Sequence, residues 1–84
     1  MMLDLARHLL EPVLRHPDAA QLQAVEGEAV VLIEAVVHAD DRESLEDDGG
    51  RTLRAIRTVL SAAAGRRKAT IELVDELSPE SGEE

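Results

Sequence analysis

Asp47-Asp48-Gly49-Gly50 is the stretch on which the reading of this chain turns. It closes a short acidic segment and leads straight into an amphipathic helix that opens with Arg51. A glycine pair at the start of a helix suits a phosphate-binding loop, because backbone N–H groups without helical partners point outward there. Two aspartates at that place carry the wrong charge for a phosphate. The same polarity runs on a larger scale. From Asp40 to Asp48 there are six acids and one arginine, and from Arg51 to Ile71 six bases and no acid.

Downstream, the spacing predicts a helix over Arg51–Ala64. Leu53, Ile56, Leu60, Ala63 and Ala64 make its apolar stripe, Arg51, Arg54, Thr58 and Ser61 face away, and Arg57 lies on the flank. Gly65 suits its stop, with Arg66 and Arg67 near the negative helix end. Lys68–Asp75 alternates as a strand, Ala69, Ile71 and Leu73 against Thr70, Glu72 and Val74. Ser78–Glu84 is polar, acidic and broken by Pro79 and Gly82, which predicts disorder. The expected division is a domain over residues 1–75 and an acidic disordered tail over 76–84.

Upstream, Asp40–Glu46 allows a short helix that could not stand alone. Glu28–His38 reads as a long apolar strand. Val31, Ile33, Ala35 and Val37 form one face, and Val30, Leu32, Glu34 and Val36 the other. With Glu34 its one polar residue between Val30 and Val37, both faces are expected to be covered in part, by helices on one side and a neighbour or partner on the other. Glu26-Gly27 signals a tight turn, where glycine accepts positive φ, after a short strand over Leu22–Val25. Met2–Arg15 has helical spacing through Leu3, Ala6, Leu9, Leu10, Val13 and Leu14. Pro12 within it predicts a kink or a weakened last turn, and His16-Pro17-Asp18 ends it.

Composition removes several function classes. Eighty-four residues allow one domain. A chain of this size buries only ~60% of its unfolded surface and gains from a partner. Without cysteine there is no disulfide or thiolate metal site, and without Phe, Tyr or Trp the commonest device for holding single-stranded bases, stacking on aromatic rings, is missing. The net charge is −9, and without the four glutamates of residues 76–84 it is still −5, against simple attraction to nucleic acid. No apolar run is long enough to cross a membrane and no leader pattern opens the chain, so a soluble, cytoplasmic protein is expected.

The order helix, strand, strand, short helix, glycine loop, helix, strand resembles the type II KH domain, and more closely the small bacterial single-KH RNA-binding proteins of the KhpA family. The residues that carry the resemblance are Leu14-Arg15-His16-Pro17-Asp18 after the first helix, Val25-Glu26-Gly27-Glu28 at the hairpin, and Val30–Val37 as the long strand. Most specific is Gly50-Arg51 followed by Ala55-Ile56-Arg57-Thr58-Val59. The match covers about Met1 to Asp75. It implies an α+β fold of order α-β-β-α-α-β, with a three-stranded sheet and helices on one face. It also implies a Gly-x-x-Gly loop, usually with a basic residue inside, that approaches the RNA backbone while about four nucleotides lie in a groove. Here Asp47 replaces the first glycine and Asp48 the residue that is commonly lysine, while Gly50 and Arg51 are retained. The loop is therefore a degenerate form of the family's signature.

The resemblance implies RNA-binding residues Asp47, Asp48, Gly49, Gly50, Arg51 and Arg54. Gly49, Gly50 and Arg51 would approach the backbone, Arg54 would support it, and the long strand would offer apolar contact to bases. It implies low-affinity, largely sequence-nonspecific binding of single-stranded RNA, as a homodimer or with a larger KH-containing protein. The alternative is a module that has lost RNA binding and keeps only pairing or docking. Asp47 and Asp48 also suit plain helix capping. Asp40, Asp41, Glu43, Glu46, Asp47 and Asp48 are oxygen-rich enough for Ca²⁺ or Mg²⁺, but the spacing of a calcium loop is absent and a solvated acidic face is expected. His8, His16 and His38 are scattered, with no spacing that gathers metal ligands, and Thr58 and Ser61 have no histidine in register for catalysis. No catalytic residue, metal or cofactor is expected.

Overall fold

The computed structural model describes residues 2–79. Its elements are α1 (Met2–Leu10), β1 (Gln21–Glu26), β2 (Val30–Val36), α2 (Ala39–Asp47), α3 (Arg51–Ala64) and β3 (Lys68–Leu73). This is the expected α-β-β-α-α-β order.

β2 is the central strand. It pairs antiparallel with β1, Leu22 opposite Ala35 and Ala24 opposite Ile33. It pairs parallel with β3, Val31 opposite Ala69 and Ile33 opposite Ile71. Alternation along a strand sends Val31, Ile33 and Ala35 to one side, where all three are fully buried. Ala69 and Ile71 of β3 and Leu22 of β1 extend that surface. Met2, Ala6 and Leu10 recur every four residues on α1, and Ile56 and Leu60 do so on α3; these stripes pack on the sheet and on each other. The aliphatic core forms between the helices and this one face of the sheet.

Four local expectations are corrected. The α-helical part of α1 stops at Leu10, and the chain tightens into a 3₁₀ turn over Glu11–Val13, with Leu14 extended. This shortens the helix expected to reach Arg15 and is the weakened last turn expected at Pro12, which removes a donor and crowds the preceding turn. Gly27 does not take positive φ. Its N–H donates to the Val30 carbonyl at 2.8 Å, and Glu28 and Ala29 make the reversal with ordinary negative φ. β2 is shorter than Glu28–His38, because those two residues turn and Val37 and His38 lead into α2. Ala63, placed in the apolar stripe of α3, is exposed.

The outer face of the sheet holds a charged group. Glu34 is only 6% exposed. Its carboxylate accepts the Ser78 N–H at 2.8 Å and the Ser78 hydroxyl at 2.5 Å, with Gln23 Nε2 at 3.3 Å. Gln23 Nε2 also donates to the Ser78 carbonyl at 2.9 Å. The chain's own residues after β3 thus cover Glu34, where a neighbour or partner was expected. Ser78 is tied down at the start of the segment expected to be disordered, and residues 80–84 lie outside the described residues. The Ser78 hydroxyl, and then its N–H, hold the Glu34 carboxyl below its ordinary pKa against the opposing effect of burial. Among the described residues no helix is long and apolar enough to cross a membrane.

A carboxylate with a depressed folded-state pKa stabilises the fold above its unfolded pKa, and that contribution is lost as pH falls through the folded value. Glu34, Asp41 and Asp48 are all depressed. The urea midpoint is therefore expected to hold from about pH 7 to about pH 5 and to drop below about pH 4. In Glu34→Gln the acid-side drop should be shallower, read by circular dichroism across that range.

Candidate nucleic-acid interface

α2 and α3 meet at the sequence singled out above. α2 ends at Asp47, and Gly49 and Gly50 follow with φ of 75° and 79°. Two successive left-handed residues are readily made only by glycine, which explains the pair directly. The turn is closed by the Gly49 N–H on the Glu46 carbonyl at 3.3 Å.

Asp48 points into this turn. Its Oδ1 accepts the N–H of Gly50 at 2.8 Å and of Arg51 at 3.0 Å. Its Oδ2 accepts the N–H of Thr52 at 3.2 Å and the Thr52 hydroxyl at 2.6 Å. These are the outward-pointing donors of a helix start, and the carboxylate also faces the positive end of the α3 dipole. The Thr52 hydroxyl leads the causes that lower the Asp48 pKa, followed among the lowering causes by the Thr52, Gly50 and Arg51 N–H groups. The carboxylate thus occupies the donors that open α3. The capping reading therefore holds for Asp48. Asp47 is exposed, and its side chain has no hydrogen-bond partner among the described residues.

The cations sit beside this turn. Arg51, Arg54 and Arg57 are exposed, and no described carboxylate lies within ion-pair distance of any of them. Arg54 folds back, its Nη1 donating to the Gly49 carbonyl at 2.9 Å. Residues advance by about 100° around a helix. Arg51, Arg54 and Arg57 thus lie on one side of the exposed surface of α3, the side of Ser61. Ser61 donates to the Ala69 carbonyl at 3.1 Å, which places the cationic side next to β3. Ala55, Val59, Ala62 and Ala63 form the other side, and Val59 is 44% exposed. Of the second basic cluster, Arg67 is bound to Glu26 at 2.9 Å, while Arg66 and Lys68 are exposed.

The structure brings Asp47, Asp48, Gly49, Gly50, Arg51 and Arg54 into one turn and its flanking helix. It does not bring β2 there as an edge, because β2 is paired on both sides and β3 is the strand beside α3. The acidic run is also less solvated than expected. Asp41 is 2% exposed and accepts the N–H groups of Arg15 at 2.7 Å and His16 at 2.9 Å. Glu46 pairs with Arg42. Thr58 and Ser61 both donate to backbone carbonyls. Thr52, the partner of Asp48, was missed, although a threonine four residues after a capping aspartate is a local signal.

A curated RNA-binding protein KhpA from Streptomyces coelicolor is 33% identical over 75 residues, which cover 89% of this chain and 94% of the relative. The chain belongs to the KhpA family. The KhpA of Halalkalibacterium halodurans is 32% identical over 72 residues, covering 86% of this chain and 95% of the relative. That of Bacillus subtilis is 31% identical over 74 residues, with 86% and 91% covered. No protein-family model matches the chain, and no solved structure matches it significantly. Within this chain the loop acids are unlike each other: one is bonded inside the turn and one is exposed.

Asp48→Ala is expected to lower the thermal midpoint, because the N–H groups of Gly50, Arg51 and Thr52 lose their acceptor, while Asp47→Ala leaves it unchanged. Gly49→Ala should cost about 1–2 kcal/mol from its left-handed backbone alone, since nothing lies within 4 Å of the added Cβ. Differential scanning calorimetry of the three variants separates these effects.

Proposed function

We propose that this protein binds single-stranded RNA along the cationic side of α3, with low affinity and little base preference. The observation that carries the reading is the row Arg51, Arg54 and Arg57, exposed, without a described acidic partner, and beginning at the loop of a KhpA-family chain. Three guanidiniums on successive turns of one helix side suit contact with the phosphates of a nucleic-acid backbone. Gly49 and Gly50 let the backbone of the loop come close, and Arg54 braces the loop through the Gly49 carbonyl. Base edges would meet β3 and the exposed Arg66 and Lys68 rather than β2. The net charge of −9 and the lack of Phe, Tyr and Trp keep affinity low and dependent on salt. The apolar side of α3, with Val59 and three alanines, supports pairing with a second copy or a KH-containing partner without covering the arginines. Nothing in this assignment calls for catalysis or a cofactor, and a cytoplasmic location fits it.

One observation favours a second reading. The Asp48 carboxylate already accepts the N–H groups that such a loop could offer to a phosphate, and Asp47 adds an outward negative charge. A module that pairs with proteins alone would tolerate both.

Fluorescence anisotropy with a labelled short single-stranded RNA at low salt separates the readings. Asp47 and Arg51 are exposed and have no side-chain bond among the described residues, so changing them tests charge alone. Wild type should bind weakly. Arg51→Ala should weaken it and reduce the salt slope by about one, and Asp47→Lys should tighten it. Binding by Asp47→Lys but not by wild type selects the protein-only module. No binding by either, with the fold intact, removes RNA from the account.

A further inference from the structure

The histidines that are scattered in the sequence are not scattered in the fold. His16 lies in the connection after α1, and His38 immediately precedes α2. Their rings stack with centroids 3.9 Å apart and planes 22° from parallel. Asp40 lies against both, its Oδ2 at 3.3 Å from His16 Nε2 and 3.7 Å from His38 Nδ1. One ligand atom from each of the three residues falls within 4.8 Å of the others.

The backbone under this cluster is held in place. Buried Asp41 accepts the N–H groups of Arg15 and His16, which fastens the connection after α1 to the first turn of α2. The three donors therefore stand on positions fixed by the fold, while their side chains are partly exposed, at 41% for each histidine and 59% for Asp40. Two imidazoles and a carboxylate suit Zn²⁺ and its neighbours among the divalent transition metals, and not the oxygen-only shells of Ca²⁺ or Mg²⁺. Bonds of about 2.0–2.1 Å in a tetrahedron put neighbouring ligand atoms about 3.3 Å apart. The pair His16 Nε2 and Asp40 Oδ2 already has that separation, and His38 Nδ1 lies 3.7 Å from the same oxygen.

We propose that His16, His38 and Asp40 form a surface site for a divalent transition metal such as Zn²⁺, with the remaining coordination open to water. The stacked rings splay to turn their lone pairs to one ion. His38 Nδ1, which accepts the Asp40 N–H at 3.1 Å, exchanges that bond for the metal. The bound ion then clamps the connection after α1 onto α2. The site stands at the opposite end of α2 from the Asp48 turn, about 12 Å away along the helix, so it does not compete with the arginines of α3. His8 is the internal control, because it lies on α1 with its Nδ1 beside the Asp4 carbonyl at 2.9 Å.

Isothermal titration of the untagged full chain with Zn²⁺ tests this. Wild type and His8→Ala are expected to take up a single ion with the same affinity, and His16→Ala/His38→Ala to lose at least about tenfold in affinity. Histidine side-chain ¹⁵N spectra of the wild type, which need no variant, should show His16 and His38 shifting with Zn²⁺ while His8 stays in place. Absence of uptake by wild type at high micromolar Zn²⁺ overturns the proposal. So does equal uptake by a folded double variant, or a spectrum in which only His8 responds, since either would put the ion elsewhere.

Discussion

The parallel pairing of β2 with β3 is the constraint from which the rest of the fold follows. Parallel neighbours cannot be joined by a hairpin, so the chain must leave one end of β2 and return to the opposite end of the sheet. α2, the glycine turn and α3 make that return. Both strands are aliphatic on the core side, so they can be buried only if a helix covers them, and Ile56 and Leu60 of α3 supply that cover. The sharp turn between α2 and α3 is thus a structural necessity in its own right. Its two left-handed residues require glycine, and its N–H groups require an acceptor.

Asp48 meets the second requirement from inside the chain. A loop that leaves these donors to solvent can take up an anion but gains no order from them. A loop that binds its own carboxylate is fixed in shape, and its charge is largely matched by the donors and the helix dipole. Negative charge at Asp48 is therefore a smaller obstacle to a phosphate than the sequence alone suggests, because it is already compensated. The lost quantity is donor capacity. Attraction has to come from side chains instead, and Arg51, Arg54 and Arg57 lie next to the turn. The exposed surface of α3 is divided into a cationic side and an apolar side, and the proposed function assigns the first to a nucleic acid and the second to a protein neighbour.

Much of this was legible in the residues. The alternation of β2 and β3, the stripe of α3 and the glycine turn are local signals, and they sufficed for the element order. What escaped was nonlocal. Asp41 reads as part of a solvated acidic run, because its partners Arg15 and His16 lie some 25 residues away in the chain. The meeting of His16 with His38, and of Glu34 with Ser78, depends on chain reversals that no spacing rule records. Ala63 was misplaced because a helical stripe is wider in sequence than the strip that touches the core. The direction of the Asp48 carboxylate was undecided for another reason: capping and phosphate binding call on the same N–H groups.

The central claim is that RNA meets the cationic side of α3 at its glycine turn while Asp48 remains in place. Backbone amide spectra of the ¹⁵N-labelled protein titrated with a short single-stranded RNA test it most directly. The account predicts graded, salt-sensitive shifts at Gly49, Gly50, Arg51, Arg54 and Arg57, extending to Arg66 and Lys68, with little change at Gln23 and Glu34 on the outer face of the sheet. Shifts confined to that outer face or to Val59 and Ala63, or none at a concentration where the fold is intact, would contradict it.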